Sequence, residues 1–383
     1  MTGRESMLWG HPSAPEDAPR RSILHSFRML APYEEALPDL GFPQGDMAEG
    51  SRQFYAFVKQ LYVQMYGDPG FFLIPEEEYD NYIQDLGGGE PPDYSCGHKA
   101  DRQELRLRNR FQQAIRFYAA YLYQLGTRAE SLEKGVLLLS EAAWKEARKA
   151  VSWPHLMEDL PRRFQRLGAL GLDERLEPGG VYVTSTDFPK MLYGLWALCQ
   201  APDNEYRYMD FLRLDYAAAL AGGPSVEGIL RVLTPARRSA GEALHDALTG
   251  WGCSPRIRPL NALTSGSKFQ VRYWKDGARR AGFSAGPDSI TFHLYFQKPE
   301  EITRASALVR GRDPKLGAWL DKAVVRRSCA CADLRGIELG DGPHKVCGLD
   351  CQARFPEPGV GQVQEFLELC RLLEEETARE RSQ

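Results

Sequence analysis

The chain has 383 residues, a formal net charge of −4, 43% hydrophobic residues and 26% charged residues. Such a length predicts two or three domains, because one hydrophobic core rarely grows this large. No window reaches the roughly eighteen uncharged apolar residues that a membrane-spanning helix needs. The slightly negative charge excludes a global attraction to nucleic acid or acidic lipid, so any basic surface must be local. We therefore predict a globular protein with no membrane partner.

The beginning of the chain predicts the compartment. Its first twenty residues lack the apolar core and the small-residue cleavage site of a secretory signal, which favours a cytoplasmic location. Thiols stay reduced there. The eight cysteines are then expected to be core residues, metal ligands or redox groups rather than disulfides.

Proline content and apolar spacing divide the chain into four regions and predict an α+β fold. Residues 1–50 are predicted to be an extended or partly disordered arm with a short helix near Ile23 to Leu30. Residues 51–152 form a helical region, and 153–300 form an α+β region that contains an antiparallel meander. Residues 301–383 hold helices, a cysteine-rich hairpin and a final helix.

Three helices are predicted in the helical region. The first begins at Ser51, whose hydroxyl is a suitable cap, and carries an apolar stripe with helical spacing. The second covers about Asp101 to Leu125 and the third about Ser131 to Val151. A long turn-rich connection separates the first two, and Cys96 and His98 in it allow a weaker, second metal site.

The central region begins at Trp153-Pro154, since proline starts helices well and interrupts them badly. A helix to about residue 170 and a strand at 179–184 follow, which is the local pattern of a winged helix and also of many other α+β domains. An apolar helix is predicted over 191–199. We expect extended structure near Arg213, where Arg213 and Asp215 would share one face as an ion pair or a ligand-orienting pair.

The clearest strand signal is a three-stranded meander after a helix over 239–251. Alternation over 268–273, the turn Lys275-Asp276-Gly277 and a strand over 289–296 predict it. His293 falls on the face opposite the apolar one, so it is expected either in a cleft or in contact with solvent. The predicted ligand-binding residues of a small-molecule pocket are Arg213, Tyr273 and His293.

A basic stretch covers residues 228–280, where ten basic residues face three acidic ones, a local balance of +7. Phe269, Tyr273 and Trp274 lie among them. Basic and aromatic side chains together can neutralise phosphates and stack on bases. A solvated face compensated by acidic segments elsewhere is the alternative. The basic residues are Arg231, Arg237, Arg238, Arg256, Arg258, Lys268, Arg272, Lys275, Arg279 and Arg280.

Four cysteines are concentrated near the end of the chain, after two predicted helices over 299–310 and 314–325. They are Cys329, Cys331, Cys347 and Cys351, with His344 close enough to replace one sulfur. Four such ligands suit a closed, tetrahedral, structural zinc site, although the spacings of one and three residues differ from those of a zinc ribbon. Unligated thiols, redox chemistry and an iron–sulfur centre remain alternatives.

A resemblance rests on Phe188-Pro189-Lys190-Met191, the segment from Tyr208 to Tyr216, Thr264-Ser265-Gly266 and the Cys-x-Cys and Cys-Gly-x-x-Cys pattern. Over roughly residues 130–370 the chain resembles a family of uncharacterised bacterial cytosolic proteins. The resemblance implies one shared fold over that span and no activity, cofactor or substrate.

The expected function is that of a small-molecule-binding or regulatory protein with a structural metal site. Common nucleotide-binding, hydrolase and metalloprotease motifs are missing from the sequence, so no recognised catalytic motif indicates an enzyme. Nucleic-acid binding by residues 228–280 is a less favoured alternative. A thiol-dependent or metal-dependent enzyme is the third.

Overall fold

The computed structural model describes residues 18–34, 37–75, 102–259, 269–286, 289–326, 333–348 and 351–382. These residues form helices and antiparallel sheets, which confirms the α+β class. The described residues up to Ser225 form one compact unit and those from Val226 onward form a second. In the described ranges, no helix has the length and apolar character needed to cross a membrane.

The first unit combines helices with a four-stranded antiparallel sheet of order β1-β2-β4-β3. Its helices are α1 (Ala18–Arg28), α2 (Gln44–Gly67), α3 (Arg102–Arg128), α4 (Glu141–Ala150), α5 (Leu160–Ala169), α6 (Met191–Cys199), α7 (Arg207–Arg213) and α8 (Tyr216–Ala221). Its strands are β1 (Ser131–Glu133), β2 (Val136–Leu139), β3 (Leu172–Glu177) and β4 (Gly180–Ser185).

Helices α2 and α6 cross at two glycines. A Cβ atom on Gly194 would lie 2.5 Å from the carbonyl oxygen of Gly50, closer than any side chain can approach. The predicted start at Ser51 is wrong, because α2 begins at Gln44. Ser51 is buried inside the helix, where its hydroxyl donates to the Ala48 carbonyl and is hydrogen-bonded to the Tyr33 hydroxyl.

The predicted helix over 131–151 is a hairpin followed by α4. Lys134 and Gly135 both have positive φ, as a two-residue type I′ turn requires, and they join β1 to β2. Strand β2 pairs with β4, which forms a second hairpin with β3. The elements follow one another as α3, the β1–β2 hairpin, α4, α5 and the β3–β4 hairpin, and β2 lies beside β4. This is the connectivity of a winged helix.

The extended structure predicted near Arg213 is also wrong. Residues 207–213 form α7, and Leu214, with φ of 52°, ends it. Asp215 then caps α8 by accepting a hydrogen bond from the Ala218 amide. The helical spacing of apolar residues matches the structure here, since Met209, Leu212 and Tyr216 are all buried.

The second unit is built on a five-stranded antiparallel sheet of order β11-β8-β7-β6-β5, with a separate β9–β10 hairpin. Its strands are β5 (Ser254–Pro259), β6 (Phe269–Lys275), β7 (Ala278–Gly286), β8 (Ser289–Tyr295), β9 (Leu334–Leu339), β10 (Gly342–Cys347) and β11 (Gln352–Pro356). Its helices are α9 (Val226–Leu230), α10 (Pro235–Gly250), α11 (Pro299–Arg312), α12 (Pro314–Ala323) and α13 (Val360–Ser382).

The predicted meander is strands β6, β7 and β8, and the structure extends it by β5 and β11. Strand β5 has a proline near each end, and prolines are tolerated in a strand at a sheet edge, where β5 lies. One face of the sheet carries the apolar core. Phe292 and Phe355 both contact Phe366 of α13, and Phe355 also contacts Trp319 of α12.

Candidate anion-binding face of the second unit

The other face of the five-stranded sheet carries the polar side chains. Successive strand residues point to opposite sides, so the residues that alternate with the apolar core share this second face. Its charged side chains are all arginines, and no strand of the sheet places an aspartate or glutamate there. We call it the arginine face: Arg256, Arg258, Arg272, Arg279 and Arg354, with Trp274, His293 and Tyr295 among them.

One row of directly opposed residues runs across all five strands of this face. Arg256 is opposite Arg272, and Arg272 is opposite Gly282. Gly282 is in turn opposite His293, and His293 is opposite Arg354. Like charges directly opposite each other destabilise a sheet. The row covers about 19 Å at the usual strand spacing. The residues of the row include three arginines and no aspartate or glutamate, so positive charge is concentrated along a line.

The middle of the row is Gly282, which is buried. A Cβ atom there would lie 2.3 Å from the Val271 carbonyl oxygen, so this position has no room for a side chain. Cε2 of Tyr295 would lie 3.3 Å from the same Cβ atom, so the Tyr295 ring packs against Gly282 between Arg272 and His293.

Two arginines of the face lie on aromatic rings. The guanidinium carbon of Arg256 is 4.6 Å from the Trp274 ring centroid, and that of Arg279 is 3.9 Å from the Tyr295 ring centroid. Arg256 is exposed, while Trp274 and Arg279 are half-buried. These stacked pairs hold flat cationic groups at the surface of the sheet, with their remaining N–H groups available for acceptors.

No carboxylate of the described residues lies within 4 Å of Arg256, Arg258, Arg272 or Arg279 in an ion pair. Arg272 instead donates from Nε to Oε1 of Gln270 at 2.7 Å. Burial lowers the pKa of Arg272, and the positive charges of Arg279 and Arg258 lower it further. The positive charges of these arginines thus repel each other, and a bound anion would relieve that repulsion.

His293 is buried in this face, which corrects the alternative of a solvent-facing histidine. Its Nε2 is 2.7 Å from the Ser284 hydroxyl and its Nδ1 is 3.2 Å from Oε1 of Gln352. The amide oxygen can only accept, so Nδ1 carries the proton and Nε2 accepts from Ser284. Burial first, and then the charge of Arg354 and its arginine neighbours, lower the pKa of His293 to about 3. The ring is therefore neutral and does not add to the positive charge at neutral pH.

The three predicted ligand-binding residues occupy different environments. Arg213 lies fully buried in the first unit, with Nη2 3.8 Å from Oδ2 of Asp215. Tyr273 lies on the apolar face of the sheet, and its hydroxyl oxygen is 2.8 Å from Nδ1 of His245. His293 alone belongs to the arginine face. We therefore interpret Arg213 and Tyr273 as structural residues, which pack and form pairs within their own units.

Four of the ten basic residues of the stretch 228–280 reach the arginine face, namely Arg256, Arg258, Arg272 and Arg279. Others pair elsewhere: Arg237 with Glu357, and Lys275 with Glu374. Lys268 lies outside the described residues. Arg354, the fifth arginine of the face, comes from β11, about 75 residues further along the chain, and only strand pairing could have revealed it.

Half of the predicted metal site can be placed. Cys347 ends β10 and Cys351 directly precedes β11, and both are buried. The Cys351 thiol donates to the Cys347 carbonyl at 3.3 Å. Cys329, Cys331, Cys96 and His98 lie outside the described residues. His344 is hydrogen-bonded to Asp341. Within the described ranges, no three metal-ligating side chains are grouped together.

The remaining described cysteines are unsuited to nucleophilic chemistry. Burial raises the pKa of the thiols of Cys199, Cys253 and Cys370, so the thiolate that would attack a substrate is disfavoured at neutral pH. Cys199 and Cys370 lie on buried helix faces, as their apolar surroundings in the sequence predict.

Comparisons with known proteins give no relative for this chain: no family model, no curated protein and no solved structure matches it. The geometry of the arginine face is therefore the main indication of what the protein binds.

Proposed function

We propose that the protein binds single-stranded nucleic acid on the arginine face of its second unit. The observation that supports this most is the row of Arg256, Arg272 and Arg354 across one sheet, with no carboxylate on the strands of that face. Guanidinium groups bind phosphate oxygens with two parallel N–H donors, and a phosphodiester chain supplies phosphates at regular intervals.

Single strands suit this face better than duplexes. The face is a sheet that offers rings and planar guanidinium groups, on which unstacked bases can stack irrespective of sequence. Trp274 and the stacked Arg279 are half-buried at this surface, so bases can reach them. A duplex hides its base faces and would leave this stacking unused.

The winged-helix part of the first unit supports nucleic-acid binding less well. Residues 141–185 contain seven basic and seven acidic side chains, so their charges cancel. Arg163 of α5 is also turned inward, where it donates to the carbonyls of Phe72 and Leu73. This region therefore lacks the concentration of positive charge that phosphate binding uses.

Anisotropy of a fluorescent 20-nucleotide strand, titrated with the full chain, tests the proposal. We expect saturable binding that weakens steeply with salt, because each neutralised phosphate of a single strand contributes about −0.7 to the slope of log K against log salt. A duplex of the same sequence should compete less well. Equal competition by polyglutamate would instead indicate nonspecific binding of polyanions and contradict recognition of nucleic acid.

The small-molecule hypothesis, a structural zinc and the cytoplasmic location remain predictions of the sequence. The small-molecule hypothesis is supported by a cavity of suitable size in the second unit. The thiol-enzyme alternative has the least support, since the described thiols with shifted pKa values all favour the protonated form.

A further inference from the structure

A cavity of about 570 Å³ lies within the second unit, among α10, α11, α13 and the neighbouring ends of β7 and β8. That volume falls in the range of small-molecule pockets. Its walls include the rings of Trp251, Tyr295 and Phe296 and the aliphatic side chains of Leu308 and Leu373. The cavity thus offers flat and apolar surfaces that a ring system could contact.

Two arginines enter this cavity because of a β-bulge. Trp274 pairs with Arg279 and Tyr273 pairs with Ala281, which leaves Arg280 as the extra residue of β7. In a regular strand, consecutive side chains point to opposite faces, whereas a bulge changes the direction of one of them. Here both Arg279 and Arg280 line the cavity. Bulges commonly direct side chains into sites in this way.

Within the described part of the chain, Arg280 forms one ion pair, and it is long. Its Nε lies 4.0 Å from Oε1 of Glu374, beyond hydrogen-bond distance, and that carboxylate is held by Lys275 at 2.7 Å through its other oxygen. The buried Nε atom of Arg280 has no hydrogen-bond acceptor among the described residues. A carboxylate or phosphate group of a ligand at this point would supply that acceptor.

We propose that this cavity binds a small molecule that combines a planar ring system with one anionic group, a carboxylate or a phosphate. The ring lies against Trp251 and Phe296, and the anionic group accepts from Arg279 and Arg280. Because Arg279 also belongs to the arginine face, the cavity adjoins that face, but small-molecule binding here does not depend on nucleic-acid binding there.

Anilinonaphthalene sulfonate, an aromatic anion whose fluorescence increases in apolar surroundings, is the probe. Titration of the full chain should give one site, and indoleacetate should displace the probe at least tenfold better than its uncharged analogue indoleacetamide. Adenosine monophosphate against adenosine repeats the comparison for a phosphate. A preference for one pair identifies which anionic group the site takes.

Variants locate the site. Arg280→Gln should weaken probe binding about tenfold or more, because a charge-assisted hydrogen bond is lost. Leu308→Trp, which fills the cavity from α11, should abolish it. Arg256→Gln is the matched control, since Arg256 lies on the arginine face but not in the cavity, and it should leave probe affinity unchanged.

Three outcomes would overturn the proposal: probe binding unchanged in Arg280→Gln, probe binding unchanged in Leu308→Trp, or equal displacement by the charged and uncharged competitors in both pairs. Oligonucleotide binding, measured on the same variants, keeps the two proposals separate. If Arg280→Gln loses probe binding but still binds the oligonucleotide, the result supports the cavity proposal alone. If Arg256→Gln loses oligonucleotide binding but still binds the probe, the result concerns the arginine face alone.

Discussion

The guanidinium group of Arg256 lies on the indole ring of Trp274, 4.6 Å from the ring centroid. Arg256 belongs to the edge strand β5 and Trp274 to its neighbour β6, so the contact crosses two strands. The same arginine is directly opposite Arg272 in the sheet. One residue therefore links the aromatic and the cationic parts of the arginine face.

Replacement of Trp274 tests the aromatic part. Trp274→Leu should weaken binding of a single strand about tenfold, since stacking of one base on an aromatic ring contributes about 1–3 kcal/mol. Trp274→Phe, which keeps a ring, should retain most of the affinity. Anisotropy titrations at one salt concentration measure both. Equal affinity of the leucine variant and the parent would show that bases do not stack on Trp274.

Glu174 should be a major stabilising residue of the first unit. Its carboxylate accepts from the Tyr121 hydroxyl at 2.6 Å, from Trp144 Nε1 at 2.9 Å and from Arg148 Nη1 at 3.2 Å, and so connects α3, α4 and β3. Glu174→Ala leaves the buried Tyr121 hydroxyl and the half-buried Trp144 Nε1 without their acceptor, and we expect a loss of about 3 kcal/mol in the free energy of unfolding. Urea denaturation followed by circular dichroism measures it.

Glu177 provides the control for this prediction. It lies on the same strand, is exposed, and Glu177→Gln should change the free energy of unfolding by less than about 0.5 kcal/mol. If both variants unfold at the same urea concentration, the interactions of Glu174 contribute nothing beyond those of an ordinary surface carboxylate.

His293 should make the second unit sensitive to acid. Its pKa is about 3 in the folded protein, against 6.5 in an unfolded chain, so the unfolded state binds the proton first as the pH falls. The stabilisation is complete above pH 6.5 and is lost toward pH 3. Between pH 7.5 and 5 the loss amounts to about 2 kcal/mol.

The variant His293→Gln lacks this group, so its free energy of unfolding should fall by about 2 kcal/mol less over the same pH interval. Urea titrations at pH 7.5 and pH 5 give the comparison, in which titrations of all other groups cancel. A parallel decline in parent and variant would mean that His293 titrates normally in the folded state.

Metal analysis tests the zinc prediction. One zinc per chain is expected in the purified protein, because four cysteine thiolates form a closed tetrahedral site. Cys331→Ser or Cys347→Ser should lose the metal, whereas Cys199→Ala, in the buried face of α6, should keep it. Absence of stoichiometric zinc and iron from the parent protein would refute a metal site at these cysteines.

Local turn chemistry decided which hairpins could be recognised from the sequence. The turn at Asp276-Gly277 was predictable, because Asp-Gly favours the positive φ angles of a type I′ turn. Lys134-Gly135 adopts the same conformation, but lysine is not typical there, so the sequence pattern favours a helix over this segment. The sequence does not predict strand β5, because its two prolines argue against a strand except at a sheet edge.

The arginine face could be predicted only in part. The basic stretch and its aromatic residues were visible in the sequence, since they lie close together in the chain. The alignment of Arg256, Arg272 and Arg354 was not, because it depends on the register of strands distant in sequence. Likewise, the bulge that directs Arg280 into the cavity leaves no sequence signal that we can identify.

The salt dependence of single-strand binding tests the central claim most directly. In Arg256→Gln/Arg272→Gln, the slope of log K against log salt should become shallower by about 1.4, because two phosphate contacts are lost. Lys315→Gln/Lys322→Gln removes the same charge from exposed positions of α12 and should keep the parent slope. A shallower slope in the arginine variant alone is the predicted result. Equal slopes in the parent and both variants would contradict binding on the arginine face.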